Sequence, residues 1–461
     1  MNEILHGDSL ELLKDLDENS IDSIVTDPPY GYDFMGKDWD KAVPSVEMWE
    51  ECLRVLKPGG FAFIMSAPRA DVQGEMIKRL EKAGFRVDFT PVYWTYATGF
   101  PKATNIAKMV DKRLGVKGEV VGKKSCGYQV SISKTRKEQG YRPNETNATT
   151  EVDITEPSSD EAKALNGSYC GYQPKPAIEV IIVVMKPLSE KSYIDQAMKN
   201  GKGVTWLDDM RIPFKSDDVL NNMKTTKRKP RPDDSTWSNS GFKSEANDTA
   251  EANPKGRFAA NLIVQDDVLN DGKNRKSTGG LGDINVETKF GQTSNRIQKP
   301  FNYQDEGSFS RYYDLDAWWK ERIQDLPLNV QATYPFMIVP KASKSEKNKG
   351  CEGMEEKQVE RIDQLPDGFV SSYGNVRNKP KPVTNFHPTV KPISLMSYLV
   401  TLGSREGEVV LDPFVGSGTT CIATKLLNRN YIGMEMNDEY VVIAEERIKS
   451  YEPDKKEHNF F

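Results

Sequence analysis

Asp27, Pro28, Pro29 and Tyr30 stand in a row directly after the β-branched run Ile21–Thr26, and their types suit one kind of chemistry. Asp27 is a carboxylate acceptor at the carboxyl end of an expected strand, the edge on which open α/β sheets hold ligands. Pro28 and Pro29 hold φ at about −65° and lack an N–H, so the turn is stiff and its carbonyls only accept. Tyr30 adds a flat π face. Two acceptors and a ring suit a planar amine-bearing group, such as the exocyclic NH2 of a nucleobase taken out of its stack. The plain alternative is a proline turn after a strand, with Asp27 and Tyr30 there by chance.

A second constellation lies near the other end, at Leu411-Asp-Pro-Phe-Val-Gly-Ser-Gly-Thr-Thr420, where a strand turns into a helix. Gly416 and Gly418 let the backbone approach a ligand closely, and the helix start presents free N–H groups. A dinucleotide fingerprint wants Gly or Ala where this chain has Cys421, and no Gly-Lys-Ser/Thr follows to make a phosphate loop. Glu435 ends the next strand about twenty residues on, where an acidic residue hydrogen-bonds ribose hydroxyls. Together these describe a nucleoside pocket without a pyrophosphate clamp. S-adenosylmethionine has that shape.

The elements that must position these groups alternate in α/β fashion. Residues 1–5 read as a short strand, and 10–16 as an amphipathic helix with Asp8 or Ser9 as its cap. Residues 46–56 form a helix stopped by Lys57-Pro-Gly-Gly60, 61–65 an inner strand, 72–83 a helix, and 85–96 an alternating strand. This order predicts a doubly wound, Rossmann-like sheet. Residues 176–185 are the strongest strand signal in the chain. Near the end, 392–402, 419–427 and 438–450 read as helices, and 408–412 and 431–435 as strands. The expected organisation is a catalytic half at 1–114, a polar insertion at 115–170, and a core strand at 171–190. A separate module built for contact at 191–384 and a cofactor-binding half at 385–461 complete it.

Composition narrows the class. At 461 residues the chain exceeds one ordinary domain, so a core plus a large insertion is expected. With 37% hydrophobic and 28% charged residues it is polar, and no stretch approaches the length of apolar chain that a membrane span needs. The first eight residues have neither a basic nor an apolar region of the kind a secretory leader carries, so a cytoplasmic protein is expected. Cys52, Cys126, Cys170, Cys351 and Cys421 form no CxxC pair and are odd in number, which fits reduced thiols. Three scattered histidines argue against a His-built metal centre. The net charge of −5 means that any phosphate-binding face must be local. The strongly basic run at 224–231 contains Lys227, Arg228, Lys229 and Arg231, and either contacts phosphate or is a solvated charge run.

Thr26-Asp-Pro-Pro-Tyr-Gly31 and the loop at 411–420 together resemble the catalytic and cofactor motifs of amino-group DNA methyltransferases. The catalytic motif comes first and the cofactor loop last, with His387-Pro-Thr-Val-Lys-Pro392 just before it. That permuted order is similar to the beta class, whose members carry the target-recognition module between the two halves. Gly7-Asp8-Ser9 resembles the adenine-contacting motif of that class, and residues 94–102 its later aromatic motif.

The resemblance implies S-adenosylmethionine as cofactor, held by Asp8, Asp27, Lys391, Asp412, Pro413, Phe414, Gly416, Gly418, Thr419 and Glu435. It implies catalysis by Asp27, Pro28, Pro29 and Tyr30, with direct methyl transfer and no metal. Tyr30 would stack on a flipped base; Trp94 would cover its other face, or else be a core aromatic. His387 reads as a structural hydrogen-bonder, and Lys391 as a cofactor contact or a solvated helix start. The Asp-Pro-Pro-Tyr form points to adenine N6 in double-stranded DNA, with cytosine N4 as the nearest alternative. RNA or protein glutamine, or an inactive DNA-binding subunit, are further ones. A homodimer and a cognate restriction endonuclease are partners that the resemblance raises and the residues do not decide.

Overall fold

The computed structural model describes residues 2–31, 42–96, 103–126, 150–172, 177–213, 255–265, 269, 275–276, 306–325, 344–354, 384–385, 387 and 389–451. The chain divides into two compact units. One is Met1–Thr98 with Ala177–Met354 and His387–Phe461; the other is Gly99–Pro176 with Glu355–Phe386.

The first unit opens with strand β1 (Asn2–His6), helix α1 (Ser9–Lys14), strand β2 (Ile21–Thr26) and helix α2 (Val46–Val55). Strand β3 (Leu56–Ser66), helix α3 (Ala70–Lys82) and strand β4 (Val92–Thr95) follow. Asp8 and Ser45 start α1 and α2 by accepting from the N–H groups of Leu10 and Met48, which have no partner within the helix. Lys57-Pro-Gly-Gly60 is not the loop that its composition suggests. Helix α2 ends at Val55 and these four residues already belong to β3. The Lys57 ammonium lies 2.6 Å from buried Asp22, and Gly59 has φ of 77° with room for no Cβ, which would lie 2.7 Å from Gly203 N. Tertiary pairing there overrides a local stop signal. The expected strand at 85–96 shortens to β4, with Arg86 contributing only an isolated bridge to Met185.

The polar stretch at 115–170 is better ordered than its composition suggests. In the second unit, helix α4 (Ile106–Leu114) precedes strands β5 (Glu119–Cys126) and β6 (Thr150–Glu156), which pair antiparallel, and helix α5 (Asp160–Ala164) follows. Buried Asp111 organises the turn into α5. Its carboxylate accepts from Ser158 N at 2.9 Å, Ser159 N at 3.0 Å and Ser159 Oγ at 2.6 Å. Charge-assisted hydrogen bonds do here what a larger apolar core does elsewhere.

The first unit resumes with strand β7 (Ile178–Met185), helix α6 (Tyr193–Asn200) and strand β8 (Leu262–Val264). A two-stranded pair, β9 (Arg275–Lys276) and β10 (Glu306–Gly307), comes next, then helices α7 (Leu315–Arg322) and α8 (Lys344–Asn348). Helix α9 (Ile393–Gly403), strand β11 (Val409–Asp412), helix α10 (Thr419–Leu426), strand β12 (Asn430–Glu435) and helix α11 (Asp438–Lys449) complete it. Eight strands form one sheet in the order β1-β12-β11-β2-β3-β7-β4-β8. From β1 to β3 all neighbours run parallel; β7 is antiparallel to both β3 and β4.

Both faces of the sheet are covered, which explains why β2 is buried along its whole length instead of alternating. On one face α1, α2 and α3 pack Leu13, Trp49 and Met76 against Ile24, Ile64 and Leu411. On the other lies α9, buried on every side, as a helix without a polar face must be. Gly403 lets it approach: a Cβ there would sit 2.5 Å from both Phe63 and Ser23.

The separate module expected at 191–384 is only partly separate. Its described residues up to Met354 belong to the first unit, where β8 extends the sheet. In α7, Trp318 meets Tyr398 of α9 edge-on at 5.0 Å. Segments too short to build a core bury their aromatics on the existing one. Cys52, Cys170, Cys351 and Cys421 are free thiols, and among the described residues no helix is long and apolar enough to cross a membrane.

Candidate active site

Because β1, β12, β11 and β2 are adjacent and parallel, their carboxyl ends line one edge of the sheet. His6 pairs in register with Glu435, and Asp412 with Gly433. The residues that follow each strand therefore converge: Gly7-Asp8-Ser9, Asp27-Pro-Pro-Tyr30, Pro413 to Thr419, and Glu435. Hydrogen bonds tie them together. Thr26 Oγ1 donates to Asp412 Oδ1 at 2.6 Å, Ser9 Oγ to the Pro413 carbonyl at 2.6 Å, and Gly7 N to the Glu435 carbonyl at 3.0 Å.

The loop after β11 is held by three groups. Glu435 accepts from Gly416 N through Oε2 and from Asn437 N through Oε1, both at 2.9 Å. Burial raises its carboxyl above the usual range, opposed by those backbone N–H groups. Asp412 is buried, and burial pushes its carboxyl up to about 6 against hydrogen bonds from Thr26, Thr420 and Phe414 N. Arg447, fully buried on α11, donates to the Ser417 carbonyl, to Ser417 Oγ at 3.0 Å and to Thr419 Oγ1 at 3.2 Å. Gly416 and Gly418 have φ of 52° and 82°. Their freedom is used by the protein itself: a Cβ on Gly416 would lie 2.7 Å from His387 Nε2, and one on Gly418 3.0 Å from Ala444. His387 packs edge-on against Tyr440 at 4.5 Å, and burial pulls its imidazole down to about 4. It is neutral near pH 7, as a structural residue.

Around Asp27 four side chains meet. Tyr30 OH donates to Asp27 Oδ1 at 2.6 Å, and Lys391 Nζ lies 2.7 Å from Asp27 Oδ2. The same ammonium is 3.2 Å from Glu179 Oε2 on β7 and 3.4 Å from Tyr30 OH. Burial works against the charge on Lys391, but the carboxylates of Asp27 and Glu179 outweigh it and hold the ammonium well above its usual range. Lys391 is thus no solvated helix start: its side chain is 11% exposed. Pro28 is buried beneath this group, while Pro29 and Tyr30 are half-buried.

Trp94 takes the core alternative and not the base-covering one. It is 1% exposed, its Nε1 donates to Gln265 Oε1 at 2.7 Å, and Tyr96 leans on it at 4.9 Å. No face of its indole is left for a ligand. Lys227, Arg228, Lys229 and Arg231 lie outside the described residues. Asp8 is exposed beside Glu435, with one oxygen occupied as the cap of α1. Phe414 is half-buried, edge-on to Trp49 at 6.3 Å.

Two residues of this site escape the motifs. Glu179 carries a signal after all, since it is an acidic residue inside the apolar run of β7, and such a residue is rarely buried without a partner. Arg447 carries none: in sequence it is one of several charges on a terminal amphipathic helix.

A family model described as DNA methylase, covering N6- and N4-type enzymes, matches residues 21–446. The chain is 46% identical over 78 residues to the type II methyltransferase M.HpaI of Haemophilus parainfluenzae, covering 17% of this chain and 23% of that one. It is 41% identical over 80 residues to M.HinfI of Haemophilus influenzae, covering 17% and 22%. The matched stretches thus span less than a quarter of these relatives. Among solved structures, it overlays on PvuII DNA methyltransferase (cytosine-N4-specific) with TM-score 0.39 and 12% identity, covering 97% of this chain and 86% of that one. The M1.HpyAVI–SAM complex overlays with TM-score 0.35 and 14% identity, covering 97% and 99%. The family match takes in both the Asp27 turn and the Glu435 loop, and on that ground the chain belongs to the DNA methylase family of N6 and N4 amino-methyltransferases.

Proposed function

We infer that this chain transfers a methyl group from S-adenosylmethionine to the N6 amine of adenine in double-stranded DNA. The observation that carries the reading is the shared edge. An acceptor turn, Asp27 to Tyr30, stands beside a nucleoside-type loop, Pro413 to Thr419 with Glu435, and the Thr26–Asp412 hydrogen bond links the two.

The residues present fit the cofactor. Each Glu435 oxygen has one backbone donor and keeps a second acceptor position, which suits a vicinal pair of ribose hydroxyls. Asp8 has one oxygen to spare beside it. When bound, S-adenosylmethionine supplies an electrophilic methyl group on sulfur: the new N–C bond forms as the S–C bond breaks, and the surplus amine proton leaves to water.

The chain's own residues make the amine competent. An aryl amine is a weak nucleophile because its lone pair is delocalised into the ring. Accepting its two N–H bonds at Asp27 and at the Pro28 carbonyl favours a pyramidal nitrogen and aims the lone pair along one line. This is catalysis by positioning and preorganised electrostatics. Tyr30 stacks on the extruded base, worth roughly 1–3 kcal/mol, close to the few kcal/mol that extrusion costs. The Asp-Pro-Pro-Tyr form supports adenine over cytosine. A cytoplasmic enzyme, a homodimer and a cognate restriction endonuclease extend this reading.

Incubation with labelled S-adenosylmethionine and unmethylated genomic DNA, followed by nucleoside analysis, tests it. N6-methyladenine should form, and Asp27→Ala should lower the rate by at least about a hundredfold. N4-methylcytosine as the product refutes the base assignment. Bound cofactor without transfer to DNA refutes the substrate.

A further inference from the structure

We propose that Glu179 is a positioning residue that takes over the Lys391 ammonium when the target amine arrives, and so frees Asp27 to accept that amine. The proposal rests on the methyl-transfer reading above. It starts from an occupied acceptor: Asp27 Oδ1 holds the Tyr30 hydroxyl at 2.6 Å and Oδ2 the Lys391 ammonium at 2.7 Å. An ammonium is a far stronger donor than an aryl amine, so the amine meets a full-strength carboxylate only after Lys391 has moved off. Moving it off has a physical obstacle. The Lys391 side chain is 11% exposed, and a buried cation without a counter-ion is strongly disfavoured.

Glu179 removes the obstacle. It lies on β7, a different strand from the one that carries Asp27, and its Oε2 already stands 3.2 Å from the ammonium. That oxygen is buried and makes its contact without a well-directed hydrogen bond; Oε1 is reached by Tyr96 OH at 3.4 Å. Glu179 therefore has acceptor capacity to spare, in contrast to Asp27. A shift of Lys391 by a fraction of an ångström towards Glu179 turns a loose contact into a tight pair. The cation stays compensated throughout, and the trio keeps its net charge of −1. The titratable groups facing Lys391 are Asp27 and Tyr30 after β2, Tyr96 after β4, Glu179 on β7 and His387 on its own segment. Asp412 faces Asp27 from β11.

The test is single-turnover methyl transfer by the full chain to unmethylated genomic DNA at saturating S-adenosylmethionine, across pH 5 to 9. Glu179→Gln should slow the step by between about threefold and a hundredfold, the range of coupling between contacting charged residues. With Lys391 left to Asp27 alone, Asp27 is harder to protonate, so the acid limb of the profile should move to lower pH. Glu179→Asp, which keeps the charge, should restore the limb and part of the rate. In a Lys391→Met background, Glu179→Gln should cost nothing further. A wild-type rate and limb in Glu179→Gln overturns the proposal. So does a slower step with an unmoved limb, or an equal loss in the Lys391→Met background. Should Glu179→Gln not fold, Glu179→Asp in both backgrounds decides by the same comparison. A wild-type protein that transfers no methyl group overturns the function itself, which separates the two failures.

Discussion

Replacing Arg447 by Met would test what holds the cofactor loop. Met keeps the length and the apolar stem of the side chain and removes its donors. Three acceptors on the loop lose a charged partner: the Ser417 carbonyl, Ser417 Oγ and Thr419 Oγ1. The Glu346 carbonyl loses a weaker one at 3.4 Å. Glu346 also accepts from Ile393 N at 2.8 Å, so the same guanidinium joins the loop to the start of α9, next to Lys391. Stranding a buried acceptor costs about 1–3 kcal/mol, and the three do not add fully, because two share one nitrogen's hydrogens. Against this stands the recovered cost of burying a guanidinium, visible in the downward pull of burial on its ionisation. The balance is a net loss of roughly 2–4 kcal/mol. Denaturant unfolding reads the total, and a binding titration with S-adenosylmethionine reads the part expressed in the loop, an expected drop of about tenfold to a hundredfold. Lys14→Met, which breaks an exposed pair with Glu11 at 2.7 Å, serves as a control with an effect below about 0.5 kcal/mol. Unchanged stability and unchanged cofactor affinity in Arg447→Met would refute the clamp.

Two further perturbations follow from the fold. The Asp412 carboxyl titrates at about 6 in the folded chain against an ordinary 3.8. The native state therefore holds this proton more tightly than the unfolded one. Stability from this group is present below about pH 4 and is lost as pH rises to 6, by roughly 3 kcal/mol. Asp412→Asn should remove that dependence; unfolding free energies at pH 4 and 7 with equal differences in both proteins would refute it. His387 titrates in the same window in both proteins and cancels in the comparison. Gly403→Ala places a methyl group 2.5 Å from Phe63 and Ser23. Overpacking should cost about 1–3 kcal/mol despite the better helix preference of alanine, and an unshifted melting temperature would count against it.

Much of the site was legible in the chain because its parts are local. A β-branched run ending in Asp27-Pro-Pro-Tyr30 specifies its own strand and its own stiff turn. The Gly416-Ser-Gly418 turn between an apolar strand and a helix likewise needs no distant partner to be recognised, and Glu435 follows at the next strand end. These motifs carry fold class and family together, since each motif implies a strand end and the ends of parallel strands share one edge. The sequence alone also marked Glu179 as odd, an acid inside the apolar strand β7, without saying what it faces.

What tertiary structure decided was proximity and burial. Lys57-Pro-Gly-Gly60 reads locally as a stop, yet pairing with β2 and the Asp22 contact draw it into β3. Trp94 was equally suited to a base or to a core until β8 brought Gln265 to its indole N–H. Arg447 is indistinguishable in sequence from a surface charge, and only the packing of α11 behind the loop makes it the group that holds Ser417 and Thr419. The physical reason is the same in each case. Hydrophobic periodicity and turn chemistry are properties of a few consecutive residues, and they determine which elements exist and where a reactive side chain sits along them. Which charge lies beside Asp27 depends on strand order and on antiparallel β7 lying next to β3, and those follow from closing the whole core.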